Sequence, residues 1–144
     1  MEEIQRTRIQ CASKDSSLYP ARLQELPGMP KQLYYIGRFP DDDKPTAAIV
    51  GARLCSPYGR IQAFNYGKFL SEHGVQVISG MAAGIDAESH KGALEGGTPT
   101  FAVLGNGVDI CYPSSSRSIY RRIPQENGGI ISEYEPGTRG RAYH

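Results

Sequence analysis

The sequence predicts an α/β fold, a Rossmann-like parallel sheet with flanking helices preceded by a short N-terminal appendage. Three observations predict it. Four short apolar or β-branched runs, Thr46–Val50, Val75–Ser79, Thr100–Leu104 and Gly129–Glu133, are separated by stretches long enough for a helix. Runs such as Ala47-Ala48-Ile49-Val50 and Phe101-Ala102-Val103-Leu104 lack polar alternation, as strands buried on both faces of a parallel sheet do. The intervening stretches carry helix start and stop signals. With 144 residues, 39% of them hydrophobic and 22% charged, the chain suits one compact domain.

The elements follow in order. Met1 to Ala12 mixes Glu2, Glu3, Arg6 and Arg8 with isolated apolar residues and has no signal-peptide core. Leu18–Pro30 places Tyr19-Pro20 and Pro27-Gly28 turns around a short helical stretch, Arg22–Leu26, and Gln32–Gly37 reads as extended. A polar loop, Arg38–Pro45, then separates an appendage and linker (residues 1–44) from the sheet domain (residues 45–144). In the first crossover Ser56 is an N-cap with Pro57 at the first helical position. Ala63, Tyr66, Gly67 and Leu70 share a face before Gly74 ends the helix. In the second, Asp86 caps a helix that carries Ala87, His90, Ala93 and Leu94 until Gly96-Gly97. A third helix runs from Ser115 towards Ile123, with Pro124 near its end.

Sixteen basic and fifteen acidic side chains leave a formal charge of +1, so a nucleic-acid role would depend on local clustering. Cys11, Cys55 and Cys111 are too few and too scattered for a disulfide framework or a zinc site. The apolar runs are strand-length and fall short of a membrane span, and a cytoplasmic protein without metal or cofactor is the expectation.

Ligands of such sheets bind outside the carboxyl ends of the strands, so the loops starting at Gly51, Gly80, Gly105 and Tyr134 should share one rim. Gly51-Ala52-Arg53 leads into a helix N-terminus, where free N–H groups, the helix dipole and a guanidinium suit a phosphate. The plainer alternative is a turn glycine and a surface ion pair. The loop lacks G-x-G-x-x-G, and Ser79-Gly80 brings no acidic ribose ligand, which disfavours a dinucleotide dehydrogenase. Ser79 through Asp86 forms a second small-residue loop entering a helix. Asp86 and His90, four apart, could form an acid–base pair, although a cap and a buried histidine explain them as well. Tyr112, Arg117, Arg121 and Arg122 put aromatic and basic groups beside the rim, unless the arginines pair with Glu126. Cys55 reads as packing. Glu133, in Ser132-Glu133-Tyr134, could meet a ribose hydroxyl or a rim arginine.

Tyr19-Pro20, Leu33-Tyr34-Tyr35-Ile36-Gly37, Ile49-Val50-Gly51-Ala52-Arg53, Ser79-Gly80-Met81-Ala82-Ala83-Gly84-Ile85-Asp86, His90, Ala93-Leu94, Tyr112-Pro113 and Ser132-Glu133-Tyr134 together resemble the DNA-processing protein A family, DprA/Smf. The resemblance covers most of the chain in order. It implies an extended Rossmann fold that binds single-stranded DNA with little sequence preference, helps load the recombinase RecA and supports natural transformation, without catalysis. It places Arg53 in a basic DNA-binding pocket with Gly80, Gly84 and Lys91. With the rim residues above, the expected DNA- or phosphate-binding set is Gly51, Arg53, Ser79, Gly80, Gly84, Asp86, Lys91, Arg117 and Arg121. Family members continue into a Phe-Pro-x-Arg-Asn-Arg segment and further strands, whereas this chain stops at His144. A sheet cut there would expose an edge or an apolar face, so a homo-oligomer is expected. The rival reading is a nucleotide-binding enzyme or sensor related to the LOG-type phosphoribohydrolases, whose Pro-Gly-Gly-x-Gly-Thr-x-x-Glu loop this chain lacks.

Overall fold

The computed structural model describes residues 8–140. Six strands form one sheet: β1 (Gln10–Ser13), β2 (Gln32–Gly37), β3 (Thr46–Ala48), β4 (Gln76–Ser79), β5 (Phe101–Val103) and β6 (Gly129–Ser132), in the spatial order β1-β2-β6-β5-β4-β3. The four expected strands are present and their neighbours pair in parallel. The sheet as a whole is mixed, because β2 runs antiparallel to β6 and β1 antiparallel to β2. The segment expected to dock as an appendage thus contributes two strands to the sheet itself. The reason lies in Leu33-Tyr34-Tyr35-Ile36. Leu33 and Tyr35 are buried on one face and Ile36 on the other, so this run buries apolar surface only from within a sheet.

Three helices follow strands. Helix α1 (Pro57–Glu72) starts as expected: the Ser56 hydroxyl oxygen accepts from the Gly59 N–H at 3.0 Å. Helix α2 (Ile85–Gly96) is capped by Gly84, not by Asp86, which already lies inside the first turn with its carboxylate engaged elsewhere. Its far end is Gly97 in the left-handed conformation, as the Gly96-Gly97 pair predicts. Helix α3 (Arg117–Gln125) follows a 3₁₀ turn, Ser114–Ser116, and keeps Pro124 within its last turn. Where a helix over Arg22–Leu26 is expected, only a 3₁₀ turn forms, Ala21–Leu23.

The two faces of the sheet are covered differently. Helices α2 and α3 pack Ala87, Leu94, Ile119, Tyr120 and Ile123 onto Ile36, Ala102 and Ile130. The opposite face gathers Leu33, Tyr35, Phe101 and Ile131 under Tyr19, Leu23 and Phe39 of the N-terminal segment. Beside that cover, an apolar groove of about 400 Å³ runs along Ile78, Val103 and Ile131.

Candidate functional site

The loops that leave β3 and β4 are packed into each other. A Cβ on Gly51 would stand 2.7 Å from the Ile85 side chain, and a Cβ on Gly84 would run into the carbonyl oxygens of Ala52 and Arg53. Gly84 also has φ of +83°, which L side chains rarely adopt. The Ile85 N–H donates to the Ala52 carbonyl at 3.2 Å. Gly84 therefore lets two backbones touch, Gly51 makes room for the Ile85 side chain, and the first turn of α2 sits directly against residues 51–53.

Asp86 locks this junction. Its side chain is buried, and its two oxygens accept from different loops, Oδ1 from the Gly51 N–H at 3.3 Å and Oδ2 from the Gly80 N–H at 3.2 Å. Ser79 is buried too, and its hydroxyl donates to the Ile49 carbonyl at 2.6 Å, joining β4 to the end of β3. Of the expected binding residues, Asp86 and Ser79 thus face inward and hold backbone. Arg53 is exposed and has no ion pair or side-chain hydrogen bond among the described residues. Lys91, on the second turn of α2, pairs with Glu88 at 3.3 Å.

The loop after β5 joins the same edifice. The Ser116 hydroxyl, buried, donates to the carbonyl of Met81 at 3.2 Å, so the start of α3 is tied to the Gly80–Gly84 loop. Met81 is itself at positive φ (62°) and fully buried. Tyr120 donates to the Val108 carbonyl at 2.6 Å beneath this loop, and Asp109 accepts from the Gly137 N–H at 2.8 Å above it. Tyr112, which makes a cis bond to Pro113, is exposed, as are Arg117 and Arg121. These two guanidinium groups lie near Cys111: burial pushes its thiol up, and both arginines pull it back down. Arg122 pairs with Glu126 at 2.7 Å, as the plainer alternative expects. Glu133 points to the opposite face of the sheet, lining the apolar groove.

Asp86 and His90 do not form an acid–base pair. Asp86 serves the loops, and His90, with no exposed surface, places Nδ1 3.0 Å from the Thr100 hydroxyl. Burial lowers its pKa to about 4 from an ordinary 6.5, so the ring is neutral near pH 7.

Comparison with known proteins gives this architecture a place. The family model of DNA recombination-mediator protein A matches residues 10–144. The chain belongs to the DprA/Smf family. Protein Smf of Synechocystis sp. is 36% identical over 143 residues, which is 96% of this chain and 36% of that protein. DNA processing protein DprA of Streptococcus pneumoniae is 34% identical over 126 residues, 88% of this chain and 44% of that one. The X-ray structure of the Streptococcus pneumoniae protein superposes with a TM-score of 0.80 at 30% identity, covering 96% of this chain and 48% of that one. DNA processing protein A of Helicobacter pylori, described for its single-stranded DNA binding mode, superposes with a TM-score of 0.76 at 29% identity, covering 92% of this chain and 59% of that chain. This DprA/Smf chain therefore spans from about a third to somewhat over half of the length of these relatives.

Reasoning from sequence missed several residues that build the site in this DprA/Smf chain. Ser116 sits in a serine run that reads as linker, and Met81 is an ordinary apolar residue until its backbone is seen at positive φ. Thr100 reads only as a strand start.

Proposed function

We propose that this chain binds single-stranded DNA through the rim formed by the three loops after β3, β4 and β5, with little sequence preference, and that it acts in DNA uptake and recombination by assisting a RecA-type recombinase. The observation that carries this reading is the exposed Arg53, set on a loop that Gly84, Ile85 and Asp86 hold against the first turn of α2. A guanidinium carried on backbone held beside a helix N-terminus suits a backbone phosphate, and Arg117, Arg121 and the exposed ring of Tyr112, on the segment tied to the Gly80–Gly84 loop through Ser116, add cations and a stacking surface. The family membership and the Helicobacter pylori neighbour, described as a single-stranded DNA binder, support it. The proposed role is non-catalytic. In this reading Gly51, Gly80 and Gly84 shape the rim, Ser79 and Asp86 hold it, and Arg53, Arg117, Arg121 and Lys91 face the strand.

The test is a titration of fluorescein-labelled oligo(dT) against the protein over a series of salt concentrations. Affinity that falls steeply with salt, and a shallower salt dependence in Arg53→Ala, are the expected results. Salt-insensitive binding, or an Arg53→Ala protein indistinguishable from wild type, would overturn the proposal.

Self-association belongs to the same proposal. Strand β3 is an edge, and after it Val50 and Leu54, with Tyr58, Ile61 and Phe69 of α1, are exposed, Leu54 at 94%. Apolar exposure of this extent favours association. Light scattering over a concentration series should give a mass above that of one chain, and a monomer at every concentration would refute it.

A further inference from the structure

We propose that His90 is a positioning residue: by pinning α2 to the seam between β4 and β5, it holds the Asp86 carboxylate where it ties the Gly51 and Gly80 loops, without touching the bound strand. The importance of those loops rests on the reading of the rim given above.

The hydrogen bonds define the pin. The Thr100 hydroxyl donates to the Val77 carbonyl at 2.7 Å. That donation uses its only proton, so toward His90 it can only accept, and Nδ1 must carry the hydrogen. Nδ1 is thus the protonated nitrogen, and burial keeps the ring neutral. Nε2 is buried and finds no partner among the described residues. An apolar side chain of similar size would fill the space without leaving an acceptor unpaired, so what the imidazole adds is its one directional bond.

Direction matters because of where the bond points. His90 and Asp86 are four residues apart, one above the other on the buried face of α2. The Ser71 hydroxyl, which donates to the Ala93 carbonyl at 2.6 Å, and the close backbone approach at Gly67 and Gly92 bind α2 to α1, whereas toward the sheet Ala87 and Leu94 make apolar contacts that tolerate sliding of the helix pair. A slide of one residue moves the helix by about 1.5 Å, enough to break both Asp86 bonds. The His90–Thr100–Val77 chain resists that slide, since Val77 belongs to the strand whose end carries Gly80.

The experiment compares wild type, His90→Asn and His90→Leu by amide hydrogen exchange and by oligo(dT) titration. Asparagine keeps a donor near the Nδ1 position, and leucine removes it. In His90→Leu, exchange of the Gly51 and Gly80 amides should speed up about tenfold beyond any change at Ile130 and Ile131, which report the core. Oligo(dT) affinity should fall severalfold, and His90→Asn should restore both. An equal change at all four amides, or unchanged protection at Gly51 and Gly80, would overturn the proposal. Should His90→Leu fail to fold, Thr100→Val removes the acceptor and the same readouts decide. The two readings fail separately. Faster exchange in a protein whose wild type ignores oligo(dT) removes the rim and leaves the pin. Unchanged exchange and affinity in His90→Leu, with binding weakened by Arg53→Ala, does the reverse.

Discussion

The glycine-loop junction and the stretch from Tyr112 to Arg122 adjoin through Ser116 and Met81, yet they are built in opposite ways. At the junction polar side chains turn inward: Asp86 holds two backbone N–H groups, Ser79 holds a carbonyl, and the glycines let backbones meet. Along the stretch the buried groups are Ser116, Ile119 and Tyr120, while Tyr112, Arg117 and Arg121 stand in solvent. Holding the surface and presenting charge are thus assigned to different residues. Changes at the junction should act on stability, and changes at the exposed cations should act on binding.

The strongest test of that division is Gly84→Ala. Backbone strain at φ +83° and ψ -123°, a region open to glycine, and overlap with two carbonyl oxygens together should cost about 4 kcal/mol, read by denaturant unfolding. Gly97→Ala is the milder comparison, because ψ of -12° keeps Gly97 in the left-handed helical region whereas Gly84 has ψ of -123°. At Gly97 φ is +92° but nothing lies within 4 Å of the added carbon, so about 1 kcal/mol is expected. Equal costs at the two positions would mean that the loops are not truly packed together.

Next in size is the acid sensitivity of His90. Its folded pKa, about 4, lies below the ordinary 6.5, so between these values the unfolded chain binds the extra proton. Stability from this group is therefore complete above pH 6.5 and is lost as pH falls towards 4, by about 3 kcal/mol. Asp42, whose pKa burial raises but hydrogen bonds from Ala21 and Arg22 lower further, and Asp41, held low by Arg38, lose their stabilisation only as pH falls below 3.8, and being partly exposed they contribute little. Unfolding curves of wild type and His90→Asn from pH 7 to 4 should diverge by the His90 share. Parallel curves would show that the ring titrates normally.

Binding effects come last. Arg53→Ala should weaken oligo(dT) binding about tenfold while leaving stability within about 0.5 kcal/mol. Lys91→Ala should weaken binding only about twofold, because the ammonium, on the second turn of α2, shares its charge with Glu88. A reversed ranking would move the nucleic-acid surface from the β3 loop to the middle of α2.

Much of this is legible in the sequence. The Ser56-Pro57 start of α1, the Gly97 end of α2 and the four parallel strands follow from signals spanning a few residues, and those signals act locally. Asp86 shows the limit. As a cap it would have served its own helix, but its oxygens reach Gly51, 35 residues away, and local pattern carries no trace of such a partner. Strand β2 makes the same point, since its apolar run states that both faces are buried without saying in which sheet or beside which strand.

Sequence alone thus settled the alternation of strands and helices, the identity of the glycine loops and the family to which they belong, because periodicity, caps and motifs are properties of neighbouring residues. The tertiary structure decided the mixed strand order, the tie between Ser116 and Met81, and which of the candidate polar groups are committed inward. Those outcomes depend on backbone groups brought together from distant parts of the chain, where a buried donor or acceptor must find its partner and an exposed cation need not.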